Sequence, residues 1–170
     1  MVEAEILAGS DGRLIPSRVE PDVDHRDIVV AEMGGFGVLW LQVKGTTHLD
    51  DAGRVIATAR FPINAIPKSD RLYYVVSIVD LNEHKLARLW LIPSADFNRL
   101  ADHHQVTQLG HVIFELRFRA DGDKRLASFE VPRLELAARL QPLVTGLGPA
   151  NPAELDALRA QLPSGLGLSV

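Results

Sequence analysis

Residues 72–80, Leu72-Tyr73-Tyr74-Val75-Val76-Ser77-Ile78-Val79-Asp80, constrain the fold more than any other stretch. The run is apolar and β-branched with no polar face, so it reads as a central strand covered on both sides. A strand of that kind needs a layer of structure above it and another below. The rest of the chain supplies the material. Alternating or β-branched runs predict strands at 13–19, 28–32, 38–45, 54–63, 86–92, 111–119 and 124–131, the last two joined as a hairpin by Asp121-Gly122-Asp123. Pro16 confines 13–19 to a sheet edge. Helices are predicted over Glu3–Ala8, stopped by Gly9-Ser10-Asp11-Gly12, and over 95–101, capped by Ser94. A third, 132–140, carries Leu134, Ala137, Ala138 and Leu140 as its apolar stripe, and a fourth, 151–162, begins at Asn151-Pro152. Residues 64–70 read as a turn or short helix and 102–105 as a polar connection. The fold class expected is α/β, a mixed central sheet with flanking helices.

At 170 residues the chain suits one main domain, residues 1–145, with 146–170 as a linker and C-terminal helix that packs on the domain or on a second copy. The absence of cysteine excludes disulfides, thiolate zinc sites and cysteine nucleophiles. With no signal peptide or long apolar run, the expectation is a cytoplasmic protein with no membrane partner. A net charge of −4 argues against indiscriminate nucleic-acid binding, although residues 1–32 are acid-rich and Arg54, Arg60, Lys68 and Arg71 form a basic flank.

Within this frame the chemistry concentrates at residues 27–44. Asp27 opens the apolar strand 28–32, Gly34-Gly35-Phe36-Gly37 turns it, and Val38–Lys44 returns. Side chains alternate across a strand, so Trp40, Gln42 and Lys44 share one face and Leu39, Leu41 and Val43 the other. The antiparallel return brings Asp27 beside Gln42 and Lys44, gathering a carboxylate, an amide and an ammonium group on a rigid sheet.

Asp27, fourteen intervening residues, then Gln42-Val43-Lys44 resembles the bipartite signature of the PD-(D/E)xK nuclease-like superfamily, in the variant where Gln replaces the second acid. The strand at 72–80 and the segment Leu89-Trp90-Leu91-Ile92-Pro93-Ser94 extend the resemblance over residues 1–118. It implies a restriction-endonuclease-like core and Mg²⁺- or Mn²⁺-dependent hydrolysis of DNA phosphodiesters. Asp27, Gln42 and the Val43 carbonyl would be ligands of the metal, Lys44 would serve the phosphate, and the first helix would supply a glutamate, Glu5 ahead of Glu3. The alternatives are a catalytically inactive module of the same fold that binds nucleic acid or protein, and a homodimeric scaffold joined through the C-terminal helix.

Other residues read as ordinary structure. His103, His104 and His111 lack the spacing of a zinc motif. His48 with Asp50 and Asp51 reads as a loop tip. The glycine run at 34–37 lacks the strand-to-helix context of a phosphate loop. Tyr73 and Tyr74 read as core and sheet surface rather than as base-stacking platforms.

Overall fold

The computed structural model describes residues 1–19, 27–35, 37–62, 69–106 (side chains to 103) and 110–148. In chain order the elements are α1 (Val2–Gly9), β1 (Leu14–Arg18), β2 (Ile28–Glu32), β3 (Val38–Thr46), β4 (Arg54–Pro62), β5 (Leu72–Asp80) and β6 (Lys85–Pro93). Then come α2 (Ser94–Leu100), β7 (Asp102–Val106), β8 (His111–Arg119), β9 (Glu130–Val131) and α3 (Leu136–Gly146). Six strands form one sheet in the order β1-β2-β3-β5-β6-β9, and three form a second, β4-β8-β7. The larger sheet is antiparallel except at its centre, where β3 and β5 run parallel with Gln42 opposite Tyr74 and Lys44 opposite Val76. A parallel pair demands a crossover, and this one passes through β4 in the second sheet. The architecture is mixed α/β.

β5 is covered on both faces, as its composition requires. On one side Val2 and Ile6 of α1 and Leu136, Leu140 and Val144 of α3 pack against Ile28, Val30, Leu39, Leu41 and Val75. On the other, Val55, Ala57 and Phe61 of β4 and Phe114, Leu116 and Phe118 of β8 meet Tyr74, Val76, Trp90 and Ile92. Phe97 of α2 closes this second core by stacking on Tyr74, with ring centroids 3.9 Å apart. The strict alternation of buried and exposed positions along β4 and β8 is that of strands with one face on a core.

The β2–β3 hairpin is held against α3. Gly34 takes φ +74°, and a Cβ at Gly37 would collide with the Val144 carbonyl, so glycine is required for this approach. Glu32 accepts hydrogen bonds from Gln141 Nε2 at 2.6 Å and Thr145 Oγ1 at 3.1 Å. The Arg71 guanidinium donates to the carbonyls of Val38, Leu147 and Gly148 at 3.3, 2.7 and 3.3 Å. It places a cation on the carbonyls at the end of α3, where the helix dipole is negative.

Four expectations are corrected. Residues 102–106 form the edge strand β7 paired with β8, because main-chain pairing at an edge tolerates a polar sequence. Residues 124–131 do not return along β8. Asp123 accepts from the Arg125 N–H in a tight turn, a 3₁₀ turn follows at Ala127–Phe129, and only Glu130–Val131 pair, with β6. The third helix begins at Leu136 after a 3₁₀ turn and runs through Pro142 to Gly146, burying Leu136, Ala137, Leu140 and Val144 while Leu134 is 75% exposed. Ser94 makes no cap; its hydroxyl donates to the Ser69 carbonyl at 3.0 Å and accepts the Ser69 N–H at 3.3 Å, tying β6 to the entry of β5. β1 is an edge strand as expected. Among the described residues no helix is long and apolar enough to cross a membrane. The helix expected at 151–162 and most of the turn at 64–70 lie outside the described residues.

Two outcomes are expected. Arg71→Ala removes a charged donor from those carbonyls and should lower unfolding free energy by about 2 kcal/mol in urea, with the denaturant slope unchanged. Burial raises the hydroxyl pKa of both tyrosines above the ordinary value. Unfolded tyrosine ionises near about pH 10, so the folded state retains protons above that pH. Their contribution to stability is therefore complete below about pH 10 and is lost as pH rises further, and tyrosinate absorbance should appear together with the loss of near-ultraviolet circular dichroism.

Candidate functional site

The ladder between β2 and β3 is completed by a side chain. Asp27 donates its N–H to the Leu41 carbonyl at 2.9 Å. Two residues further along β3, the partner is the Asp27 carboxylate itself. Its Oδ2 accepts the Val43 N–H at 2.6 Å and Gln42 Nε2 at 3.0 Å. The N–H and C=O of one strand residue point to the same edge, so the Val43 carbonyl also faces the side of β3 occupied by Asp27. Asp27 Oδ1 takes no hydrogen bond among the described residues.

Gln42 is 2% exposed, and while its Nε2 serves Asp27, its Oε1 is buried without a partner. Tyr74, its register neighbour on β5, also buries an unpartnered hydroxyl on the same face. An unmet buried polar atom costs about 1–3 kcal/mol, so this amide is held at an expense the fold does not recover locally. Lys44 lies on the Gln42 face, half-buried and without a hydrogen bond or ion pair among the described residues. The structure thus brings Asp27, Gln42 and the Val43 backbone into direct contact, with Lys44 one step along the strand.

The acidic side chains of α1 are arranged differently from each other. Glu5 turns away to Arg133, 3.2 Å from Nη1. Glu3 instead shares a cavity of about 440 Å³ with Asp27, and is held there by Arg18 at 2.9 and 3.1 Å. Val2, Ile28, Val43, Val79 and Leu86 give the cavity an apolar body, and Gly45 and Ser77 also line it. It opens at the carboxyl-terminal halves of β3 and β5, the parallel pair, where open α/β sheets commonly bind ligands. Ser77 is the one aliphatic hydroxyl in the apolar run of β5, a local signal that could have marked it. The part played by Glu3 and Arg18 had no such signal, since it depends on how α1 seats against β1.

Among the described residues no group of three or more histidine, aspartate or glutamate side chains is placed to hold a metal ion. His103 has its Nε2 2.8 Å from the Asn98 carbonyl and its ring against Phe114. Asp50 accepts the N–H groups of Ala52 and Arg54 and the Arg54 side chain, which hold its carboxyl below the usual value, the Arg54 N–H first. It closes a loop, as expected. Of the basic flank, Arg54 is paired with Asp50 and Arg71 is committed to α3, Arg60 is exposed, and Lys68 lies outside the described residues. No protein family, no curated protein and no solved structure matches this chain.

Asp27→Ala strands the Val43 N–H and the Gln42 amide and should destabilise the fold by about 2 kcal/mol in urea unfolding. Asp27→Asn retains an acceptor oxygen for Val43 and should cost about half as much. The asparagine variant is therefore the one that separates loss of charge from loss of structure.

Proposed function

We propose that this chain hydrolyses DNA phosphodiesters with a divalent cation, on a restriction-endonuclease-like arrangement of its larger sheet. The observation that carries the reading is the contact of the Asp27 carboxylate with Gln42 and the Val43 backbone at the end of β3. The donor atoms suit Mg²⁺ or Mn²⁺: among the described residues Asp27 Oδ1 is unengaged and Gln42 holds an oxygen without a partner, and the Val43 carbonyl faces the same edge. A half-turn of the Gln42 amide exchanges its two ends and sets that oxygen beside Asp27. A bound cation would supply Lewis acidity and a hydroxide-like water at neutral pH. Lys44 would stabilise charge developing on the phosphate. Glu3, rather than Glu5, is the carboxylate that shares the Asp27 cavity.

A second reading, a non-cleaving module of the same fold that binds nucleic acid or protein, is favoured by one specific observation. Glu3 and Glu5 are each paired with an arginine, and Asp27 Oδ2 is used in holding β3, so the negative charge left for a cation is small.

Cleavage of plasmid and oligonucleotide DNA should require Mg²⁺ or Mn²⁺ and stop with a chelator. Asp27→Asn and Lys44→Ala should each lower the rate by about 100-fold or more while folding is retained. Gln42→Glu should tighten cation binding about tenfold and lower the stability of the cation-free protein, because a second carboxylate then faces Asp27 without its N–H donor. Undiminished cleavage in both Asp27→Asn and Lys44→Ala would exclude this site. No cleavage by the parent chain, with DNA binding intact, would select the second reading.

A further inference from the structure

We infer that the cavity beside Asp27 is a nucleobase pocket, so that the substrate is DNA presenting an unpaired nucleotide at the point of attack. This rests on the hydrolase reading above and adds to it the class of substrate. Scale comes first: about 440 Å³ is the size of a small-molecule site, and a duplex cannot enter it. A single base turned out of its stack can, at least energetic cost where it is already unpaired.

The chemistry of the walls selects what enters. Val2, Ile28, Val43, Val79 and Leu86 offer apolar surface to a flat ring. Asp27 and Glu3 contribute carboxylate oxygens, and the cation at the rim, Arg18, is bound to Glu3. Such a pocket repels a phosphate and receives a neutral ring that carries N–H donors. Adenine, cytosine and guanine have exocyclic amino groups for those oxygens, whereas thymine has a carbonyl and a methyl group in their place and keeps only its ring N3–H as a donor. The phosphate then stays outside, at the mouth of the cavity beside Asp27.

The exterior points the same way. Holding a duplex depends on many cationic contacts to phosphate. Here Arg54, Arg88, Arg99, Arg117, Arg119 and Arg125 each face an acid of their own, and the chain carries a net −4. Recognition through one inserted base needs no such track. Gly45 keeps the mouth open: a Cβ there would meet Val79 Cγ2 at 3.5 Å and Ser77 Oγ at 3.6 Å, ordinary contacts, so a larger side chain would enter the cavity without backbone strain.

The test uses dAMP, dCMP and dTMP with the full chain in the absence of divalent cations. Methyl NMR signals of Val43, Val79 and Leu86 should shift with dAMP and dCMP, and dTMP should bind at least about fivefold more weakly, the worth of one hydrogen bond. Gly45→Phe should abolish the shifts with its circular dichroism unchanged. No shift with any nucleotide at millimolar concentration, or equal binding of dTMP, overturns the pocket. Cleavage of single-stranded and duplex oligonucleotides with Mg²⁺ is read separately. Nucleotide shifts without cleavage of either substrate would end the hydrolase reading and leave the pocket standing. A duplex cut as fast as a single strand, with Gly45→Phe as active as the parent, would end the pocket and leave the hydrolase.

Discussion

The burial of β5 on both faces is the constraint from which the rest of the structure follows. A strand with Tyr74, Val76 and Ile78 on one side and Tyr73, Val75 and Val79 on the other cannot remain at a surface. Helices α1 and α3 supply one cover and the β4–β8–β7 sheet the other. Because β3 runs parallel to β5, the chain must cross between them, and that crossover passes through β4 of the covering sheet. The same parallel pairing sets the carboxyl ends of β3 and β5 side by side. The cavity, Asp27 and the Gln42–Lys44 face all lie at that end.

Asp27 has two demands placed on it. As an acceptor for the Val43 N–H it extends the pairing just before β2 begins, and as a carboxylate with one oxygen unengaged among the described residues it is the anionic group in contact with the buried amide. The two demands use different oxygens. The Gln42 amide shows a related asymmetry, one end satisfied by Asp27 and the other buried unmet. Local hydrogen bonding left incomplete in an otherwise well-packed sheet marks the places where a sequence serves something besides its own stability.

The hairpin at 27–44, the central strand, the edge position of β1 and the opposite facing of Gln42 and Val43 were legible because strand periodicity and proline chemistry are local. β7 was not, because an edge strand needs only backbone groups from its partner and Asp102-His103-His104 carries no alternation. The length of α3 was not, because Pro142 and Gly146 read locally as a stop, whereas burial of Val144 and the bonds from Gln141 and Thr145 to Glu32 carry the helix past them. Ser94 was misread for a similar reason: a serine before a helix reads as a cap unless its hydroxyl has a better partner, and here Ser69 lies across the sheet.

What the sequence determined by itself was which residues would share a strand face and that β5 would lie inside, since both follow from the period-two alternation and the absence of a polar side. Which glutamate of α1 stands in the cavity with Asp27, and whether arginines are open to a phosphate or bound to neighbouring acids, only the tertiary structure decided. These outcomes depend on the seating of elements far apart in the chain: Glu3 meets Arg18 of β1 while Glu5, half a turn around the same helix, meets Arg133. No local pattern encodes the angle at which a helix settles on a sheet.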